Sequence, residues 1–243
     1  MKCKMCGEEK RLIDAHIIPR SFYEPLKENG RTPRIVTDVA GEYPKRSQTG
    51  VYDKEIVCES CEQLFSPWDD YGYRFLFQEL NDEQFIRKDG EIVAYNFGKC
   101  DYEKLKLFFL SVLWRASVSK HKIFEKVQLG PFEEKLRQML LEKDPGDNSE
   151  FAVALSKFDA SANETGILNP DKTRYDGVVH YRFYMGGYMA VIKVSSQRAS
   201  ETFEKLYISE GNDVFCIVRE FEQSREFRAL VNVAKNANRP AKI

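Results

Sequence analysis

Two Cys-x-x-Cys pairs constrain this chain more than any other feature: Cys3-Lys4-Met5-Cys6 and Cys58-Glu59-Ser60-Cys61. Thiolates separated by two residues can turn both sulfurs toward one ion, and structural zinc takes four such ligands at about 2.3 Å. Cys100 and Cys216 stand alone, so the six cysteines divide into a metal quartet and two singles more naturally than into a disulfide framework. Free thiols, or one redox-active dithiol, are the other readings of the pairs. If the quartet closes on one ion, the intervening chain must fold back as a loop or hairpin, with Gly7 relaxing the first turn.

The rest of the composition narrows the class. Hydrophobic residues make up 42% of 243, enough to bury a core. No apolar run approaches the roughly 18 residues that a membrane span requires. The opening Met-Lys-Cys-Lys-Met-Cys also lacks the apolar region of a secretory signal. The expectation is a cytoplasmic protein with no membrane partner. A net charge of -1 and a pI near 6.4 give no global attraction to nucleic acid, so any phosphate binding must come from a local patch.

Periodicity predicts an α+β chain: a treble-clef-like knuckle, central helices, then a mostly antiparallel sheet with a helix. The expected divisions are 1–78, 79–146 and 147–243. Behind the second cysteine pair, 62–77 reads as a helix. In 101–119 the apolar residues Leu105, Phe108, Phe109, Val112, Leu113 and Ala116 recur at helical spacing. A further helix starts near Pro131 and stops before Asp144-Pro145-Gly146-Asp147, the best internal boundary. Beyond it, 178–184 and 188–194 are aromatic and β-branched runs joined across Met185-Gly186-Gly187, a hairpin signature. A short helix over 196–206, a second hairpin from 213–221 to 226–233 and a frayed polar tail from 236 to 243 complete the reading.

Between the pairs lies Leu12-Ile13-Asp14-Ala15-His16-Ile17-Ile18-Pro19, a strand-like segment that ends in histidine and is halted by proline. Asp53 precedes Cys58, and Glu62 directly follows Cys61. Over about the first 65 residues this pattern resembles the HNH, or ββα-metal, endonucleases of zinc-knuckle type. The resemblance implies His16 as the general base that takes a proton from water. Asp53 stands at the position of the family's central Asn, which fixes a loop, and Glu62 at that of its metal-binding His. A carboxylate there would suit Mg²⁺ or Mn²⁺ beside the structural zinc. Ala15 precedes the histidine where many members carry a metal-binding side chain, and Asp14 points to the other face of a regular strand. The departures imply a metal site rebuilt from Asp53, Glu62 and Asp69 or Asp70, or one that has decayed.

The first fifty residues are locally cationic, with Arg11, Arg20, Arg34, Lys45 and Arg46 among them, and such a patch can hold a phosphate backbone. With the resemblance, this implies a metal-dependent DNA endonuclease, its C-terminal region recognising a target or signal in bacterial or phage defence. The alternatives are a degenerate module that binds nucleic acid or a protein partner without cleavage, and a purely structural zinc module. Trp68, Tyr71, Tyr73, Phe75 and Phe77 are expected to pack the knuckle onto the helices, and His121 and His180 have no partner spacing.

Overall fold

A computed structural model of the chain describes residues 1–27, 32–36, 45–78, 80–81, 84–159, 166–228 and 231. In chain order its elements are β1 (Ala15–His16), β2 (Arg34–Val36), β3 (Lys45–Arg46), β4 (Tyr52–Asp53) and α1 (Glu59–Phe77). Then come β5 (Phe85–Lys88), β6 (Glu91–Asn96), α2 (Tyr102–Val118), α3 (Phe132–Glu142), β7 (Val153–Phe158) and β8 (Gly166–Leu168). The chain continues through β9 (Asp171–Tyr175), β10 (Val178–Met185), β11 (Tyr188–Lys193), α4 (Glu201–Glu204) and β12 (Phe215–Arg219). The protein is mixed α+β, as the periodicity predicts. Among the described residues no helix is long and apolar enough to cross a membrane.

The helices begin where local chemistry starts them. Cys58 is the N-cap of α1, and Glu59 and Glu62 in its first turn complement the positive end of the helix dipole. Asp101 caps α2 by accepting the Lys104 N–H at 3.1 Å. Pro131 leads into α3, which stops at Lys143 in the left-handed conformation. The apolar stripe read in 101–119 understates α2. Every residue from Tyr102 to Ala116 except Glu103 and Lys104 is buried, because α2 runs through the centre with α1, α3 and β11 packed against it. The α1–α2 crossing is so close that a Cβ on Gly72 would lie 2.6 Å from the Phe108 ring.

A seven-stranded sheet, ordered β5-β6-β12-β7-β11-β10-β9, covers the helices. The predicted hairpin is β10–β11, with Met185 opposite Tyr188 across Gly186 and Gly187, whose φ values of 56° and 88° only glycine adopts readily. The second expected hairpin does not form. Instead β12 inserts between β6, to which it is antiparallel, and β7, to which it is parallel. The following segment turns helical at 225–228, where the Ser224 hydroxyl accepts the Phe227 N–H at 3.0 Å. There Glu226 accepts from Arg182 at 2.7 Å and from the Tyr184 hydroxyl at 2.9 Å. The end of that expected strand at 233 and the tail at 236–243 lie outside the described residues. The helix expected over 196–206 is only the single turn α4. Strands β5 and β6 join the sheet from ahead of the central helices.

One buried cluster extends from Cys3 and Met5 through α1 and α2 to Cys216. The knuckle aromatics pack as expected: Trp68 and Phe75 are buried, and Phe77 meets Phe22 and Tyr188 edge-on.

Candidate metal centre and the histidine strand beside it

The four knuckle cysteines converge. The sulfurs of Cys3, Cys6, Cys58 and Cys61 all lie within 4.8 Å of one another, and Cys6 Sγ is 4.0 Å from Cys58 Sγ. Tetrahedral ligands at the zinc–sulfur distance are separated by about 3.8 Å, so the quartet fits a metal ion such as zinc. Backbone bonds tie the two pairs together: the Lys4 N–H donates to the Ile56 carbonyl at 2.8 Å, and the Cys58 N–H to Cys3 Sγ at 3.4 Å. Gly7, at φ 77°, turns the first pair and donates to the Cys3 carbonyl at 2.9 Å. Burial pushes the Cys58 thiol up, but bonds from the Ser60 hydroxyl and the Cys61 N–H outweigh it and hold it below its ordinary value, while burial and the neighbouring sulfurs push Cys61 and Cys6 up, so the quartet titrates as one unit. Thiolate is the form that ligates, so metal binding would release the protons of the quartet.

Behind the quartet, β1 and β4 form a two-stranded antiparallel ladder with Ala15 opposite Asp53 and His16 opposite Tyr52. Paired residues share a face and neighbours alternate, so His16 and Tyr52 project to one side and Ala15 and Asp53 to the other. The ladder thus sets His16 and Asp53 on adjacent strands but sends their side chains in opposite directions. Asp14 is exposed and 3.6 Å from the Lys54 ammonium.

His16 is half-buried, its Nε2 2.9 Å from the Thr49 carbonyl oxygen. A carbonyl only accepts, so Nε2 carries the proton and Nδ1 keeps the lone pair. Gly50 shapes the loop that delivers Thr49. Its φ is 87°, and a Cβ there would sit 2.0 Å from the Tyr23 ring. Burial holds the imidazole below its ordinary value of 6.5; the Thr49 bond pulls the other way, and the charges of Arg115 and Arg20 add to the depression. His16 is therefore neutral at physiological pH.

Asp53 is 8% exposed and fully engaged. Its Oδ2 accepts from the Ser119 hydroxyl at 2.7 Å and the Lys120 N–H at 2.9 Å, while Oδ1 accepts the Glu55 N–H at 2.9 Å. It fixes its own loop and pins the end of α2. Glu62 lies on α1 with Oε2 buried and without a hydrogen-bond partner among the described residues. Burial raises its carboxyl; the Arg115 charge opposes the rise and Asp69 adds to it. Two helical turns along the same face, Asp69 accepts both terminal nitrogens of Arg115, at 2.9 and 2.7 Å. The same guanidinium donates to the His16 carbonyl at 3.0 Å and lies 5.0 Å from the Phe65 ring centre. Arg115 thus joins α2, α1 and the histidine strand. Among the described residues the cysteine quartet is the only cluster of three or more potential metal ligands, and His16, Asp53, Glu62, Asp69 and Asp70 do not form a second.

Arg11, Arg20, Lys45 and Arg46 are all exposed. On the β2–β3 pair Arg46 lies directly opposite Arg34, also exposed, and neither has an ion-pair partner among the described residues. Adjacent like charges repel, which an anion laid across them would relieve. His180 is a core residue held between the Val178 carbonyl and the Tyr207 hydroxyl, at 2.9 and 2.8 Å, and His121 Nδ1 accepts the Ile123 N–H at 3.3 Å. Sequence reasoning missed Arg115 and Thr49. A charged residue inside the most apolar helix was the available signal for Arg115; nothing marked Thr49, whose role is played by its backbone.

No family model matches the chain, and comparison with curated proteins and with solved structures returns no match.

Proposed function

We propose that the chain is a metal-dependent, cytoplasmic endonuclease of HNH type that hydrolyses DNA phosphodiester bonds, built on a treble-clef-like zinc knuckle. The observation that carries this reading is His16: a neutral imidazole at the end of a strand, with Nε2 held by the Thr49 carbonyl and Nδ1 left as a base. The β1–β4 ladder followed by a helix that opens at the second cysteine pair also supports it. In the mechanism His16 Nδ1 accepts the proton of the attacking water. Arg115 holds the end of the histidine strand through the His16 carbonyl, and Asp53 keeps the β4 loop closed. Arg11, Arg20, Lys45 and Arg46 contact the phosphate backbone.

Mg²⁺ or Mn²⁺ is only partly provided for: Glu62 offers one unpartnered carboxylate oxygen, but that oxygen is buried and no ligand cluster gathers around it among the described residues, so the other positions would fall to water and substrate phosphate. When bound, the ion supplies charge neutralisation at the phosphate and at the departing oxygen. The test is supercoiled plasmid with Mg²⁺ or Mn²⁺: nicking is expected from the wild type and not from His16→Ala. Equal nicking by His16→Ala removes the histidine from the mechanism.

A second reading, a module that binds nucleic acid or a protein partner without cleaving, is favoured by the commitment of Asp53 and Asp69 to structural partners. It predicts duplex binding that weakens steeply with salt and no nicking with either ion.

A further inference from the structure

A groove of about 540 Å³ opens between the turn at 147–149 and the segment following β11. That volume falls in the roughly 300–1,000 Å³ range of small-molecule sites. Its lining mixes polar side chains, Asn148, Ser149, Lys193, Gln197 and the Arg198–Glu204 pair among them, with the apolar surface of Ala199 and Tyr207. Lys193 is the unusual member. It is 4% exposed, its ammonium donates only to the Ser149 carbonyl at 2.9 Å, and it has no carboxylate at ion-pair distance among the described residues. A second lysine, Lys106 on α2, is wholly buried beneath the same turn, with only the Tyr102 hydroxyl at 3.3 Å and the Asp147 carbonyl at 3.4 Å as acceptors.

Carboxylates are close by, but each is already engaged. Asp147 Oδ1 accepts the Ser149 N–H and hydroxyl, both at 2.7 Å, and the Glu150 N–H at 3.1 Å. Glu150 pairs with Lys135, and Glu204 is held by both arms of Arg198 at 2.9 Å. Of these three only Asp147 has no cation at ion-pair distance among the described residues, and its one charge stands against two buried ammoniums, Lys106 and Lys193, so the balance at the floor is positive, where an underpaired ammonium is costly. The hydroxyl of Ser196 and the side-chain amide of Gln197 have no hydrogen-bond partner among the described residues and supply donors at the rim.

We propose that this groove binds a small phosphate-bearing molecule whose anionic group docks on Lys193. A multi-oxygen anion matches one buried ammonium ringed by hydroxyl and amide donors. A DNA backbone does not, because Lys193 lies buried at the floor rather than on an exposed face along which a duplex could lie. The site is separate from the nuclease reading and stands or falls without it.

Calorimetric titration of the full chain with inorganic phosphate, pyrophosphate and a nucleoside monophosphate tests the proposal. One-to-one saturable binding is expected for at least one of them, weakened roughly tenfold or more in Lys193→Met, the loss of one charge-assisted hydrogen bond. Ala199→Trp, which fills the groove and leaves the lysine in place, should weaken binding as well and serves if Lys193→Met fails to fold. Absence of saturable binding, or wild-type affinity in a folded Lys193→Met or in Ala199→Trp, overturns the proposal. Displacement of the bound probe by a short DNA duplex would also overturn it, since the site would then belong to nucleic acid.

Discussion

Replacing Arg115 with methionine should damage the protein more than any substitution on its surface. Methionine keeps an apolar stem over Phe65 and removes the guanidinium, which is wholly buried and donates to Asp69, Ser111 and the His16 carbonyl. The Asp69 side chain, 15% exposed, is left as an uncompensated carboxylate. Breaking a buried pair by removing one partner costs about 3–5 kcal/mol, a large share of the roughly 5–15 kcal/mol by which domains are stable. At the sensitivity typical of a chain this long, the melting temperature should fall by about 6–20 °C. Urea unfolding measures the free energy directly, and an unchanged m-value would place the loss in the folded state. The double variant Arg115→Met/Asp69→Leu should recover most of the loss, because exchanging a buried ion pair for apolar side chains is often near neutral. If Arg115→Met stays within about 1 kcal/mol of wild type, or the double variant is no more stable than the single, the ion pair does not hold α2 to α1 as described.

Cys61→Ser, or treatment with a strong chelator, should release one equivalent of metal by elemental analysis and melt the β1–β4 ladder, since structural zinc contributes about 10–16 kcal/mol in small domains; a native circular dichroism spectrum after complete metal loss would refute this. Gly50→Ala forces a Cβ into the Tyr23 ring at a positive φ and should cost more than about 2 kcal/mol, with a shift in the His16 imidazole NMR titration that reports movement of Thr49. For Asp53, burial raises the carboxyl, but the Ser119, Glu55 and Lys120 donors outweigh it and hold it below its ordinary value of 3.8. Its contribution is therefore present above the unfolded value and lost as pH falls through the folded one. Asp53→Asn should be less stable at neutral pH and lose less on acidification; parallel acid unfolding curves for the two proteins would contradict this.

The parts of the fold that were legible in the sequence are those with local causes. The cysteine quartet follows from two x-x spacings, α2 and α3 from apolar periodicity and a capping Asp or Pro, and β10–β11 from a Gly-Gly turn. What escaped depends on partners remote in the chain. Nothing around Phe215–Arg219 says that its neighbours will be β6 and β7, and the alternating pattern there suits a hairpin as well as an inserted strand. The side of the ladder to which His16 and Asp53 point depends on a one-residue register that spacing alone does not fix. Lys106, Arg115 and Lys193 interrupt apolar runs, and each proved to be a buried charge with a specific partner or a specific lack of one.

The position of β12 bears on how the chain reaches its native state. A strand that is nearly the last described segment to be made lies third from one edge of the sheet, so β6 and β7 keep unpaired backbone along their facing sides until it arrives. Sheet completion must wait for most of synthesis, and long-range closure of this kind is slow. A chain cut short before Phe215 would present two raw strand edges to its neighbours, which makes early termination here a route to aggregation rather than to a smaller working protein.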